Sequence, residues 1–391
     1  MQLTGIRKYL TFLKMYRLRY RFPLPFLLYA SRLARYEKLV KIKDKIVFSS
    51  FVPPYPSKAF DRFIASAGKK IPTSVYISVT NKCRYDCWHC SSRYRTDKEL
   101  TTEEITKMIK DFQDMGVSVF GFTGGEPLLR QDIPEIIRLV DDRSSTVLFT
   151  SGDAFTAEKA KELKGAGLFC VVVSLDHFKE EMHDFLRGRK GAFETAVDAI
   201  EISKKHGFYT VISMVVTKQL LDSIFDFLGF AEKMKVDEVR ILEPVPCGRL
   251  IKEKIMLSDE NREKLIDVHK IANRSSKYPR VSVFPYIESK HMIGCTAGID
   301  HLYVDASGDV CPCDFTPLSF GNIKTESIKT ILERMHTYFD RPREKCFMLE
   351  HYQEIAEQFD DKLPLSVEKS IEICRRCKPS GSTDFYKKLL S

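Results

Sequence analysis

No stretch of this 391-residue sequence is long and apolar enough to span a bilayer or to serve as a secretory signal. Charges, together with Pro23 and Pro25, break every apolar segment near the start. Internal repeats and low-complexity tracts are also missing. Without a secretory signal, the eleven cysteines are not expected to form a disulfide scaffold. A cytoplasmic, reducing setting instead leaves their thiolates free to bind metal. Acidic excess is lacking as well: the net charge is +9. Residues 1–45 hold twelve of the 62 Lys and Arg but only two of the 53 Asp and Glu, so the rest of the chain is close to neutral. A cationic extension therefore precedes a body whose 43% hydrophobic content suits a large soluble domain plus a smaller one.

From Thr73 onward, short β-branched or aromatic runs alternate with helical patterns, the signature of βα units around a parallel sheet. Strands are expected at 74–80, 117–123, 146–150, 169–174, 209–216 and 238–242. Helices are expected at 102–115, capped by Thr101 or Thr102, and at 133–141, 157–164, 193–206, 223–234 and 259–273. Six units point to an α/β fold, a partial (β/α)6 TIM-like barrel whose strand ends form the active face. After about Val283 the pattern changes. Tyr303–Val304 and Val310 flank an Asp-Ala-Ser-Gly-Asp turn that reads as a hairpin. The expected domains are a basic aromatic extension over 1–72, the barrel over 73–285, and a small cysteine-rich α+β domain over 286–391.

Directly after the first expected strand comes Asn81-Lys82-Cys83-Arg84-Tyr85-Asp86-Cys87-Trp88-His89-Cys90. Three closely spaced thiolates can wrap one compact metal centre. They cannot complete the four protein ligands of a four-iron cluster, which leaves one iron open for chemistry. A zinc knuckle with His89 as fourth ligand is the structural alternative. The second strand ends in Thr123-Gly124-Gly125-Glu126-Pro127, where paired glycines permit close approach to a ligand and Glu126 offers a carboxylate to an amine. The fourth ends in Ser174-Leu175-Asp176, followed by Arg187-Gly188. Arg187 suits a ligand carboxylate as a bidentate fork, or a surface salt bridge.

Taken together over roughly residues 73–285, these motifs resemble the radical S-adenosylmethionine (SAM) superfamily. The resemblance implies a 4Fe-4S cluster on Cys83, Cys87 and Cys90, with the amine and carboxylate of SAM chelating the open iron. Gly124, Gly125 and Glu126 would meet the amine side, and Ser174 and Arg187 the carboxylate or ribose region. Ser151 and Met214, at later strand ends, would line the pocket. It further implies electron donation into the sulfonium, homolysis to methionine and a 5′-deoxyadenosyl radical, and hydrogen abstraction from substrate. The protein itself supplies positioning, water exclusion and cluster tuning.

Cys295, Gly308 and Cys313, followed by Cys346 and the pair Cys374-Arg375-Arg376-Cys377, resemble SPASM or shortened "twitch" domains, whose cysteines bind auxiliary iron–sulfur clusters. Cys295, Cys313, Cys374 and Cys377 are the favoured ligands of one auxiliary 4Fe-4S cluster, with Cys346 and Cys311 in reserve. The later cysteines of the full SPASM pattern are missing, and a zinc ribbon is the alternative. Cys170 reads as a small buried apolar residue. Cys247 reads as a loop cysteine near the active face or as a hydrogen-atom donor.

Ile6, Tyr9, Leu10, Leu13, Tyr16 and Tyr20 lie at helical spacing among basic residues. Two fates fit: peripheral contact of residues 1–45 with an anionic membrane, or packing on the barrel. No nucleic-acid motif accompanies the charge. Phe22–Phe26 and Phe51–Pro56 read as extended connectors near the substrate entrance. The expected function is a radical enzyme acting on a peptide or biosynthetic intermediate with an external electron donor. A lipid-like or tetrapyrrole substrate at a membrane surface is a second expectation, and a non-catalytic iron–sulfur carrier or metal-stabilised scaffold a third.

Overall fold

A computed structural model of the chain describes residues 2, 3, 8, 11, 22–96, 98–378 and 381–390. The aromatic stripe from Ile6 to Tyr20 lies outside the described residues. The main sheet comprises β1 (Ser74–Thr80), β2 (Val119–Gly124), β3 (Ser145–Thr150), β4 (Cys170–Ser174), β5 (Tyr209–Val215), β6 (Glu238–Leu242), β7 (Arg280–Val283), β8 (His301–Val304) and β9 (Val310–Cys311). They lie in the order β7-β6-β5-β4-β3-β2-β1-β8-β9, and every pair except β8 with β9 is parallel. This is the expected partial barrel, with two differences. A seventh barrel strand, β7, follows helix Asp259–Arg274. The expected hairpin is present as β8 and β9, but β8 adds in parallel to β1, with His301 opposite Ser74. The sheet thus continues across position 285.

Period-two alternation sorts the strand side chains into two layers. One set, including Val75, Ile77, Phe120, Phe122, Leu148, Val171 and Ile212, packs under the helices. The other, including Val119, Val147, Cys170, Val172, Tyr209 and Val211, fills the barrel interior. Helix Thr102–Met115 carries a full capping box. The Thr101 hydroxyl accepts from Glu104 N while the Glu104 carboxylate accepts from Thr101 N, an arrangement worth about 1 kcal/mol.

The described part of the N-terminal extension packs on the barrel. Phe22–Phe26 is not an extended connector: Pro23 caps helix Leu24–Leu33 and Pro25 sits in its first turn, where proline's missing N–H costs nothing. Glu37 ties the extension to the barrel edge by accepting from Arg280 (2.7 Å) and pairing with His269 (3.1 Å). Burial opposes ionisation of Glu37, but these two partners hold its carboxyl down at about 2. Among the described residues no helix is long and apolar enough to cross a membrane.

Candidate active site

Beyond β1 the chain leaves the sheet as an irregular loop carrying Cys83, Cys87 and Cys90. Three glycines from remote segments press against its backbone. A Cβ on Gly125 would lie 2.3 Å from Lys82 O, one on Gly188 2.5 Å from Asp86 O, and one on Gly248 2.2 Å from Cys90 O. Hydrogen bonds follow the same contacts: Glu126 N to Lys82 O, Asp86 N to Arg187 O, and Arg249 N to Cys90 O. The ends of β2, β4 and β6 thus cradle the three thiols. Burial pushes the Cys83 thiol up to about 11 and the Cys87 thiol in the same direction, a penalty that iron ligation would offset. His89 does not join the cysteines; its Nε2 lies 3.2 Å from Asp176 Oδ2. Among the described residues, no three His, Cys, Asp or Glu side chains converge on a single-ion site. The donor set is three thiols without a fourth, which suits a cluster with one open iron rather than a closed zinc site.

Asp176, fully buried, anchors the floor beneath them. Its Oδ2 forms an ion pair with Arg187 (Nε at 2.8 Å) and faces His89, while its Oδ1 accepts from Val215 N at 2.9 Å. Burial by itself would raise this carboxyl; Arg187, then His89, outweigh that and hold it well below the usual range. Arg187 is therefore no surface residue. It is buried and places Nη1 3.7 Å from Cys87 Sγ.

Glu126 is also buried, with its carboxylate turned toward the end of β3. One oxygen accepts from Thr150 Oγ1 and Leu128 N, the other from Ser151 N and Oγ. Burial pushes it up to about 7 against those four donors. Its place as a direct partner for an amine is thus already taken by the chain. Gly124 has φ +133, and a Cβ there would sit 2.1 Å from Thr80 O. Ser151 and Ser174 follow the interior-facing Phe149 and Val172 at strand spacing, so both face the barrel mouth. Met214 does not: it shares Ile212's phase, packs under the helices and is fully buried. The sequence placed it at the correct strand end, but one residue out of phase with the lumen.

The C-terminal cysteines fall into two groups. Cys295 pairs through its backbone with Arg343 (2.8 and 2.9 Å), which brings Cys346 beside it. The neighbouring Cys346 thiol is the chief cause that holds the Cys295 thiol below its ordinary value. Cys295, Cys313 and Cys346 line one cavity, with Glu288 on the same wall. Cys374 and Cys377 lie at the end of helix Val367–Arg376, outside that lining and beyond the Arg343 side chain, which reaches Lys378 O. The four-ligand set favoured from spacing is thus split between two places, and Cys346, held in reserve, is the neighbour of Cys295. Cys311 is fully buried on β9, paired with Tyr303. Cys247 is buried in the apolar core, and Cys170 lies inside the barrel.

Residues 77–231 match the radical SAM superfamily and residues 295–378 match the SPASM iron–sulfur cluster-binding domain. The chain is a radical SAM enzyme with a SPASM domain. Its cofactors are the SAM-cleaving 4Fe-4S cluster, SAM itself and auxiliary iron–sulfur chemistry in the SPASM domain. Curated relatives include the AdoMet-dependent heme synthase of Oleidesulfovibrio alaskensis, 27% identical over 70% of this chain and 79% of that protein. Another is the GTP 3′,8-cyclase of Lactiplantibacillus plantarum, 35% identical over 46% of this chain and 56% of that protein. Among solved structures, Streptococcus suis SuiB bound to S-adenosylmethionine aligns with a TM-score of 0.59 at 16% identity, covering 79% of this chain and 80% of that one.

Two residues of this radical SAM enzyme escaped sequence reasoning. Asp176 stands in the Ser-Leu-Asp segment, but only the fold shows it meeting Arg187 and His89. Arg249, two residues after Cys247, donates to the carbonyls of Asp86 (2.9 Å) and Cys87 (3.2 Å) and clamps the cysteine loop.

Proposed function

We propose that Cys83, Cys87 and Cys90 hold the SAM-cleaving cluster and that the chain uses it to abstract hydrogen from a biosynthetic intermediate or a peptide. The carrying observation is the cradled three-thiol loop with no fourth protein ligand. When bound, the cluster and SAM supply a 5′-deoxyadenosyl radical. Gly124 and Gly125 give a turn with no side chain in the way, which would receive the methionine end of SAM. Glu126 acts through Ser151, fixing that hydroxyl and the β3 end. Ser174 and Arg187 border the opposite side, with Arg187 oriented by Asp176 and stabilising the Cys87 thiolate. Cys295, Cys313 and Cys346 are proposed as auxiliary-cluster ligands, with Cys374 and Cys377 as a separate pair. An external donor supplies electrons.

Peptide chemistry is supported by SuiB, whose structure is also known with its precursor peptide. Chemistry on a small intermediate is supported by the heme synthase and cyclase relatives. A lipid-like substrate at a membrane surface is the second reading, favoured by the apolar cavity behind the barrel. Anaerobically reconstituted protein given dithionite and SAM is expected to release 5′-deoxyadenosine. A preparation with its full iron complement that releases none overturns the proposal.

A further inference from the structure

The open side of the barrel, between β7 and the β8–β9 hairpin, leads into a cavity of about 460 Å³. Cys295, Cys313 and Cys346 line part of it, so an auxiliary cluster held there would take some of this volume and leave the rest for a small molecule. Its outer end is walled by Phe22, Phe26 and Phe385, and its inner end by Tyr76, Arg240 and Phe284. Aromatic and aliphatic side chains make up most of the wall between them. The chain's own N-terminal helix, Leu24–Leu33, closes one side, and its outward face leaves Leu24 and Leu28 exposed.

Arg240 breaks this apolar character. It is only 4% exposed, with Phe51, Phe149 and Phe284 rings 4.2, 5.1 and 5.3 Å from its guanidinium carbon. It is hydrogen-bonded with the Tyr76 side chain, but its Nε and Nη1 have no acceptor, and no carboxylate lies within 4.0 Å among the described residues. The acids nearby are engaged elsewhere: Glu37 with Arg280, Asp314 with His301, and Asp300 with the Tyr386 hydroxyl. Glu288 lies on the cysteine wall. A guanidinium cannot shed its proton to escape this position, so a buried arginine with no carboxylate partner calls for an anion. Its unpartnered Nε–H and Nη1–H lie on different edges of the guanidinium, so a carboxylate oxygen can meet either one singly.

We propose that this cavity binds a long-chain carboxylate, its acid group on Arg240 and its chain running outward past the cysteine wall to Phe22 and Phe26. The mostly apolar lining suits a hydrocarbon chain, and one buried guanidinium without a carboxylate partner favours one acid group. Arg240 packs on Phe149, two residues before Ser151, so the carbons next to the acid group would lie roughly 7 Å along the strands from the SAM side. That this ligand is the substrate rests on the function proposed above.

The test is equilibrium dialysis of anaerobically reconstituted protein against labelled dodecanoate, dodecanol and protoporphyrin IX. Dodecanoate is expected to bind saturably at one per chain, and dodecanol more than about tenfold more weakly. Arg240→Met should erase that difference while Arg240→Lys keeps part of it. Ala30→Trp, which fills the wall remote from Arg240, should weaken acid and alcohol alike. Wild-type protein that binds no dodecanoate, binds acid and alcohol equally, or prefers protoporphyrin overturns the proposal. The wild-type comparison stands even if a variant misfolds. Release of 5′-deoxyadenosine from the same preparation tests the SAM chemistry separately, so binding without release counts against the function, and release without binding only against the cavity ligand.

Discussion

Replacing Arg187 with Met should do two separable things. Asp176 is fully buried and its closest charged partner is Arg187, at 2.8 Å. Removing the guanidinium leaves a buried carboxylate with only His89 and the Val215 N–H, and breaking such a pair costs about 3–5 kcal/mol. With an m value of about 3 kcal/mol/M, the urea midpoint should fall by about 1 M or more. The double variant Asp176→Asn/Arg187→Met removes both charges. The Asn carbonyl still accepts from Val215 N while its amide faces His89, so at least about 2 kcal/mol should return. Release of 5′-deoxyadenosine should not return, because the guanidinium beside Cys87 is still absent. Urea unfolding followed by far-UV circular dichroism reads the first effect, and anaerobic turnover the second. A loss under about 1 kcal/mol in the single variant, or a double variant no more stable than the single, refutes the Asp176–Arg187 account.

Two further outcomes follow from the geometry. The Cys83/Cys87/Cys90→Ala triple variant should lose about four irons, and Cys346→Ala should remove as many again, as measured by iron and sulfide counts. An unchanged count in Cys346→Ala, with loss in Cys374→Ala, would restore the ligand set favoured from spacing. Glu126, pushed up to about 7 in the fold, keeps its proton between about pH 4.5 and 7 where the unfolded chain has released it, so stability should fall as pH rises through that window. The contribution is roughly 3 kcal/mol, and Glu126→Gln should flatten that part of the pH–stability profile. An unchanged slope in the variant would assign the dependence to another group.

Much of the barrel was legible because its signals are local. Alternating β-branched runs and helical periodicity need only a few consecutive residues, and the bounds of Ser74–Thr80 and Glu238–Leu242 matched those expected. The Cys83–Cys90 spacing likewise carries its chemistry within eight positions. Met214 failed because a strand end is visible in sequence while its phase relative to the lumen depends on register. Phe22–Phe26 failed because prolines mark both an extended segment and a helix start, and packing decided for the helix.

The order of residues by itself determined a βα chain, a three-thiol loop at its first strand end and a second set of cysteines further on. Tertiary structure decided which of those cysteines meet, since Cys295 and Cys346 lie 51 positions apart and come together where Cys295 pairs with Arg343. It also buried Asp176 against Arg187 and set Arg240 among aromatic rings with no carboxylate partner. Charge and thiol chemistry are written in each residue, but burial and pairing arise only when remote segments pack, and those set the cost of an unpaired group.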